Sequence, residues 1–361
     1  MTGPDAGGVA YGADIGGTKI LGVAIGAEGE ILVQRRVPTP HQAAATAARR
    51  RSHDGGGAGT GGHPGEAVAD AVAGLLVQLY QDLHGDGDGD GGGVLGPPPV
   101  GIGIAGLVDS SGVLRFSPNL AAASGADVGA LVTSRLAGPL AGAEVRAHND
   151  ATCAALAELV LGAARGVRDG LVVTLGTGIG GALIVGGHVH AGAHGFGGEV
   201  GHMVVDPNGP ACPCGNRGCW ERYASGGGLA RLAREAALAG TLHEAVRLAG
   251  GNPELVTGEH VTAAAAAGDA DALRVMGELG WWVGLGLANL VALFDPEWIV
   301  LGGGLAHAGE MLLEPSRRAL AALVEGDGAR DVVPVLEAGL GEQAGAVGAA
   351  LAARTGSLDR S

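Results

Sequence analysis

The stretch "VAYGADIGGTKILGVAIGAEGEILVQRRV", residues 9–37, holds two short β-branched runs separated by turn residues, with a third run beyond "GAEGE". Runs of this kind, bounded by glycine and acidic residues, read as strands joined by tight connections. The prediction is an antiparallel meander with a glycine loop near its first turn. Further along, the period changes. From Glu66 the apolar positions Val68, Val72, Leu75, Leu76, Leu79 and Leu83 recur at helical spacing and predict an amphipathic helix. "LVDSSGVLRF" reads as strand, turn and strand, "DVGALVTSRLAG" suits a helix, and the strand "EVRAHND" runs directly into the helix "ATCAALAELVLGAA". "GLVVTLGTGIGGALIV" is a strand with a second glycine-rich turn. "LANLVALFDPEWIVLGGGLA" reads as helix, Asp-Pro break, buried strand and a third glycine turn opening onto a helix. Alternating strands and helices indicate an α/β architecture.

The length of 361 residues suggests two domains, and 47% hydrophobic residues suffice for sizeable cores. A formal charge of −15 repels phosphate backbones and anionic membranes, which argues against nucleic acid as a partner. Four cysteines are too few for a disulfide framework in a chain of this length. "MTGPDAGGVA" lacks the basic and apolar parts of a signal peptide, and "WWVGLGLANLVALF" looks too short to span a bilayer. A cytoplasmic protein with no membrane partner is expected.

Three patterns carry less than they suggest. Asp86, Asp88, Asp90 and Gly91 match the start of an EF-hand loop, but Pro97 stands where a bidentate Glu is needed. Gly101, Gly103 and Gly106 have G-x-G-x-x-G spacing, yet no helix follows, so they read as glycines that let a strand approach a ligand or another backbone closely. The glycine-rich insertions at about 49–65, with a basic triplet at 49–51, and at about 84–93 read as flexible loops.

Phosphate chemistry enters at the glycine turns. In "DIGGTK" the N–H groups of Gly16, Gly17 and Thr18 could cradle a phosphate, and Asp14 could hold Mg²⁺ or its waters. Lys19 is the only lysine in the chain. A plain hairpin turn is the alternative for this hexamer. "TLGTGIGG", residues 174–181, is a second candidate cradle with Thr177 and Gly178 at its apex. In "AHND" Asp150 stands at a strand end and helix start, where it or Asn149 could simply cap the helix. It could equally act as a general base toward a hydroxyl that attacks a phosphoryl group. In "EVGHMVVDPNGPACPCGNRGCWE", residues 199–221, His202, Cys212, Cys214 and Cys219 complete a tetrahedral zinc set with no position left for water, which implies a structural ion. Unmetallated cysteines are the alternative.

Together these pieces resemble the ROK family of bacterial sugar kinases, most closely its glucokinases. "DIGGTK", "GIAGLVD", "SPNL", "HND", "TLGTGIGG", "GEVGHMVV", "CPCGNRGCWE", "DPEWIVLGGGLA" and "GEQAGAVGAA" carry the likeness, from about residue 11 to the C-terminus. The resemblance implies an actin-like (ribonuclease H-like) ATPase fold, two α/β domains around a cleft. It divides the chain into a small domain, residues 1–148 plus 342–361, and a large domain, 149–341, that carries the zinc loop. It implies ATP bound through Asp14, Gly16, Gly17, Thr18, Lys19, Thr177, Gly178 and Gly303, with Mg²⁺, and Asp150 as the catalytic base. Hexose contacts fall on Asn119, Asn149, Asp150, Glu199, His202 and Glu221, so zinc would fix a loop that orients sugar hydroxyls. Glucose is the favoured substrate, and a homodimer or homotetramer is implied.

The chain departs from that pattern after "SPNL", where "AAASGADV" replaces the bulky aromatic residue usual in the family's glucokinases. A kinase for another hexose, such as N-acetylmannosamine, is therefore a second expectation. A third is a sugar-responsive regulator without a DNA-binding domain. "HVH" at His188 and His190 resembles a metal pair, but two histidines alone carry little, and the family resemblance implies an ordinary strand and turn there.

Overall fold

The computed structural model describes residues 8–40, 65–85, 96–326, 328–356 and 358. Most of both glycine-rich insertions, with the 49–51 triplet and the EF-hand-like aspartates, lies outside those residues. The chain forms two compact units, Met1–Ala157 with Ala191–Gly197 and Gln343–Ser361, and Glu158–His190 with Gly198–Glu342. These boundaries differ from those expected at 148/149 and 341/342. Residues 150–157 go with the first unit because the backbone of Asp150 and the side chain of Cys153 pack on Gly103, and the Cys153 carbonyl lies against Gly348. The segment Ala191–Gly197 joins it through a bond from the Ser110 N–H to the His194 carbonyl, 3.1 Å.

In the first unit β1 (Ala10–Ile15), β2 (Lys19–Ile25) and β3 (Ile31–Pro38) form the expected antiparallel meander. Helix α1 (Glu66–His84) returns the chain to β4 (Val100–Ile104), which lies parallel to β1. A hairpin of β5 (Leu107–Val108) and β6 (Leu114–Phe116), then α2 (Val128–Thr133), lead to β7 (Val145–Asn149), parallel to β4. The sheet order is β3-β2-β1-β4-β7. Helix α3 (Asp150–Val160) starts at the residue after β7. Val68, Val72, Leu75, Leu76 and Leu79 of α1 are buried as their spacing predicts, and they share a core with Tyr11, Ala13 and Ile15 of β1.

The alternate residues of β1 meet something else. A Cβ on Gly12 would lie 2.0 Å from the Ala346 carbonyl oxygen, and one on Gly101 in β4 2.1 Å from that of Ala349. The C-terminal helix (Ala344–Thr355) therefore rests directly on the strand backbones. Close backbone approach, expected for the 101–106 glycines, is what Gly101 provides.

The second unit repeats the plan. Strands β8 (Gly170–Leu175), β9 (Ile179–Val185) and β10 (His188–His190) form an antiparallel meander, and β11 (Trp298–Gly302) and β12 (Val335–Glu337) add in parallel beside β8. Its order is β10-β9-β8-β11-β12. The helices are α4 (Glu221–Ala224), α5 (Gly226–Leu238), α6 (His243–Leu248), α7 (Gly258–Ala266), α8 (Ala270–Phe294) and α9 (Glu310–Leu323). The apolar run read as too short to span a bilayer belongs to α8, which has 25 residues and is long and apolar enough to cross a membrane by length and composition. Here Val275, Met276, Leu279, Val283, Leu287 and Val291 of α8 lie in the unit's core. Gly280 and Gly284 let α9 approach so closely that a Cβ would fall 2.5 Å from Pro315 Cβ and 2.4 Å from Ala319 Cβ.

Candidate functional site

The strand period puts Asp14 on the same face of β1 as Gly12, toward the start of the C-terminal helix. Gly345 leaves the room, since a Cβ there would lie 2.8 Å from Asp14 Cγ. Asp14 Oδ1 is sealed from solvent with no hydrogen-bond partner among the described residues. Burial pushes the Asp14 carboxyl up to about 7; repulsion by Asp150 adds to this, and Lys19 opposes it. Burial likewise raises the Asp150 carboxyl, against the N–H of Ala151 at 2.9 Å. Asp14 and Lys19 thus form one electrostatic cluster with Asp150, which is distant in sequence. An orphaned carboxylate oxygen beside a second strained carboxyl suits a divalent cation, so the residues fit the magnesium implied by the resemblance.

These shifts have a sign. A folded value of about 7 against an ordinary 3.8 means that the folded state holds the proton more tightly. The associated stability is present below the unfolded value and is lost as pH rises toward 7. In metal-free protein the thermal midpoint should fall between pH 5 and pH 8, and fall less in Asp14→Asn. Parallel wild-type and variant curves would contradict the shift.

Capping, one alternative for the "HND" segment, falls to Asn149. Its Oδ1 accepts from the Thr152 N–H at 3.0 Å and the Thr152 hydroxyl at 3.3 Å, while its Nδ2 donates to the Gly106 carbonyl at 3.0 Å. Asn149 is thus tied into the fold at both ends of its amide.

In the "DIGGTK" turn the Gly16 N–H is committed to the Lys19 carbonyl at 3.0 Å, which closes the hairpin. Of the three N–H groups expected to face phosphate, those of Gly17 and Thr18 are left. The Thr39 hydroxyl braces the turn from the Gly16 carbonyl, 2.7 Å away. Gly17 also lies against Asn119, where a Cβ would come 2.9 Å from Asn119 Cβ. Ser117 and Leu120 are buried and hold the "SPNL" turn, joined by a bond from the Leu120 N–H to Ser117 Oγ at 3.1 Å, and Asn119 is exposed between them. The following "AAA" is a short 3-10 turn, Ala121–Ala123.

In the second unit His202 ends the 3-10 turn Val200–His202. Its ligand nitrogen and the sulfurs of Cys212, Cys214 and Cys219 all lie within 4.8 Å of one another. Cys212 Sγ is 3.7 Å from His202 Nδ1, and Cys214 Sγ is 3.6 Å from Cys219 Sγ. Ligands about 2.3 Å from a tetrahedral zinc stand about 3.8 Å apart, so the set fits such an ion. With Nδ1 toward the sulfurs, His202 Nε2 faces Glu199 Oε2 at 3.9 Å. Burial raises the Cys212 thiol, which donates to Glu221 Oε1 at 3.1 Å.

Glu221, the first residue of α4, reaches further. A Cβ on Gly178 would lie 2.6 Å from Glu221 Oε2, so one carboxylate links the metal cluster to the apex of "TLGTGIGG". That turn docks on the start of α5 through N–H bonds from Gly226 to the Gly176 carbonyl, 2.8 Å, and from Gly227 to the Thr177 carbonyl, 3.4 Å. Ser225 caps α5 through the Gly228 N–H at 3.2 Å. The segment 225–228 is a part of the site that the sequence reading missed. Its signal was a cap serine and three glycines before the apolar positions Leu229, Leu232 and Ala233. Gly303 has φ +84° and sits against the end of β8, where a Cβ would come 2.5 Å from the Leu175 carbonyl oxygen. Thr177, Gly178, Gly303 and the α5 start thus cluster at the ends of β8 and β11.

The pattern of the ROK family matches residues 94–355. A glucokinase of Streptomyces coelicolor is 36% identical over 350 residues, 96% of this chain and 98% of that protein. A solved ROK family glucokinase from Streptomyces griseus, in complex with glucose and AMPPNP, is 35% identical with a TM-score of 0.80, covering 96% of this chain and 100% of that one. A xylose repressor of Bacillus subtilis is 30% identical over 249 residues, 69% of this chain and 59% of the repressor.

Proposed function

The chain belongs to the ROK family, and from that premise we propose that it is an ATP-dependent glucokinase with the actin-like ATPase fold, transferring the γ-phosphoryl group of ATP to the 6-hydroxyl of glucose. The observation that carries this reading is likeness to glucokinases over 96% of the chain, by sequence and by fold. The geometry within each unit supports it.

Asp150 takes the proton of the 6-hydroxyl as that oxygen attacks the γ-phosphorus, the bond from the γ-phosphorus to the β,γ-bridging oxygen breaks, and ADP leaves. Its raised carboxyl makes it a stronger base than an exposed aspartate. Glucose is held by Asn119, Asn149, Asp150, Glu199, His202 and Glu221. The N–H groups of Gly17 and Thr18, Lys19, and the turn of Thr177, Gly178 and Gly303 receive ATP. When bound at Asp14, Mg²⁺ supplies positive charge to the phosphates. His202, Cys212, Cys214 and Cys219 hold zinc, which supplies rigidity to the loop beside Glu221. A cytoplasmic homodimer or homotetramer, without nucleic-acid or membrane partners, completes the reading.

One observation favours a second substrate reading. The small turn Ala121–Ala123 follows the exposed Asn119, so a bulkier hexose such as N-acetylmannosamine is the alternative. The test is ADP release from MgATP by zinc-loaded protein, with no sugar and with glucose, mannose, fructose or N-acetylmannosamine. Release dominated by glucose is expected. Release dominated by another sugar keeps the chemistry and moves the substrate; none with any sugar overturns the kinase reading in favour of a sugar-responsive regulator.

A further inference from the structure

Glu221 is flanked by a side chain that the chemistry does not use. Trp220 is wholly buried, and its indole lies flat on α8 at Gly286, where a Cβ would fall 2.0 Å from Cε2, 2.3 Å from Cζ2 and 2.4 Å from Cδ2. The indole N–H donates to the Trp282 carbonyl, one turn earlier on the same helix, at 2.7 Å. The Trp282 ring stacks on Tyr223 with centroids 4.1 Å apart, and the Tyr223 hydroxyl donates to Asp206 Oδ2 at 2.7 Å. The Trp220 N–H, for its part, is bound to the Met203 carbonyl at 2.8 Å. Only Gly at 286 accepts the ring, because any side chain would occupy the volume of its six-membered half.

We propose that Trp220, seated in the slot at Gly286, is a positioning residue for hexose binding: it fixes the backbone register of Glu221 on one side and of the ligand Cys219 on the other. This rests on the glucokinase reading, in which Glu221 touches the sugar. Glu221 begins a helix of four residues, too short to fix its own direction. The nearest element that can is α8, a core helix of 25 residues. Trp220 is the one residue through which the stretch 219–221 grips it by both shape and a hydrogen bond. A shift of the indole by the width of a methyl group would carry the Glu221 carboxylate off Gly178 and away from His202 Nδ1, now 3.8 Å from its Oε1.

The experiment compares wild type, Gly286→Ala and Trp220→Phe, measuring zinc per chain, thermal midpoint, kcat, and KM for glucose and for ATP. For Gly286→Ala the glucose KM should rise about tenfold or more, with the ATP KM and kcat changing far less. Trp220→Phe keeps a ring in the slot but loses the indole N–H, and should raise the glucose KM about threefold, so it carries the test if Gly286→Ala does not fold. A folded variant with wild-type glucose KM overturns the assignment. So does an ATP KM that rises as much as that for glucose, since that is general damage. Wild-type protein without hexose-dependent ADP release would sink the glucokinase reading itself, a result separate from any variant-to-wild-type ratio.

Discussion

Asp150→Asn lowers kcat for glucose phosphorylation by about 10²–10⁴-fold and leaves glucose binding near wild type, the size expected when a positioned general base is lost. The substitution is nearly isosteric, and the fold around it does not need the charge. Asn149 already caps α3 through Thr152, and the bond that Asp150 Oδ1 accepts from the Ala151 N–H can be accepted equally by an amide oxygen. The carboxylate is electrostatically costly where it stands, since burial raises it and its charge raises Asp14 in turn. Neutralising it should therefore raise the thermal midpoint at pH 8 while activity disappears. That pairing separates loss of a base from loss of structure. Glucose affinity, read by calorimetry, should change little because an amide can still hydrogen-bond a hydroxyl. A variant that turns over at near the wild-type rate would remove Asp150 as the base, and one that is inactive and less stable would make it a structural residue.

The parts of this site that were readable in the sequence are those whose chemistry is local. His202, Cys212, Cys214 and Cys219 lie within one stretch, so their density and type already mark a metal site, and the strand period alone puts Asp14 opposite Ala13 and Ile15. The meander of residues 9–37 was readable for the same reason. What the sequence did not disclose depends on pairings across the chain. "GLVVTLGTGIGGALIV" reads as a strand with a turn in it, whereas it supplies both β8 and β9 of a second meander, a repetition visible only from sheet order. Residues 150–157 cap a boundary drawn at the strand end, but Gly103 and Gly348 draw them into the first unit. The glycines of α8 carry no periodic signal of their own in the sequence, yet they are packing surfaces for Pro315, Ala319 and Trp220. The commitment of the Gly16 N–H, the Asn119 contact with Gly17 and the reach of Glu221 to Gly178 likewise require the tertiary fold.

Cys214→Ser, or removal of metal from wild type by a chelator, should lower kcat/KM for glucose by about 100-fold, mainly through a higher glucose KM, and zinc should restore the chelated wild type but not the variant. Apart from the ligands, the loop is held by isolated hydrogen bonds, such as those from the Val205 N–H to the Gly218 carbonyl at 2.9 Å and from the Cys212 N–H to the Asn216 carbonyl at 2.8 Å. Between Met203 and Trp220 its regular pairing is limited to the single bridges Val204 with Cys219 and Ala211 with Arg217, and Val204, Ala211 and residues 215–217 are exposed. Few apolar contacts therefore oppose the conformational entropy of the loop, whereas binding of a structural zinc is worth on the order of 10 kcal/mol. Trp220 holds the backbone of Glu221 with or without the ion, but the direction of its carboxylate depends on the ion's chemistry. A protonated Cys212 gives its S–H to Glu221 Oε1 at 3.1 Å and draws the carboxylate toward sulfur. A zinc-bound thiolate has no proton to give, so the carboxylate turns to other donors, of which a sugar hydroxyl is the one the proposed reaction supplies. The ring of His202 follows the same logic, because ligation of Nδ1 leaves Nε2 as the N–H donor beside Glu199. Metal analysis should give one zinc per chain in wild type and almost none in Cys214→Ser, with faster proteolysis within residues 206–218 of the variant. Unchanged glucose kinetics in metal-free protein would show that the four ligands serve the fold of their own loop and not the sugar.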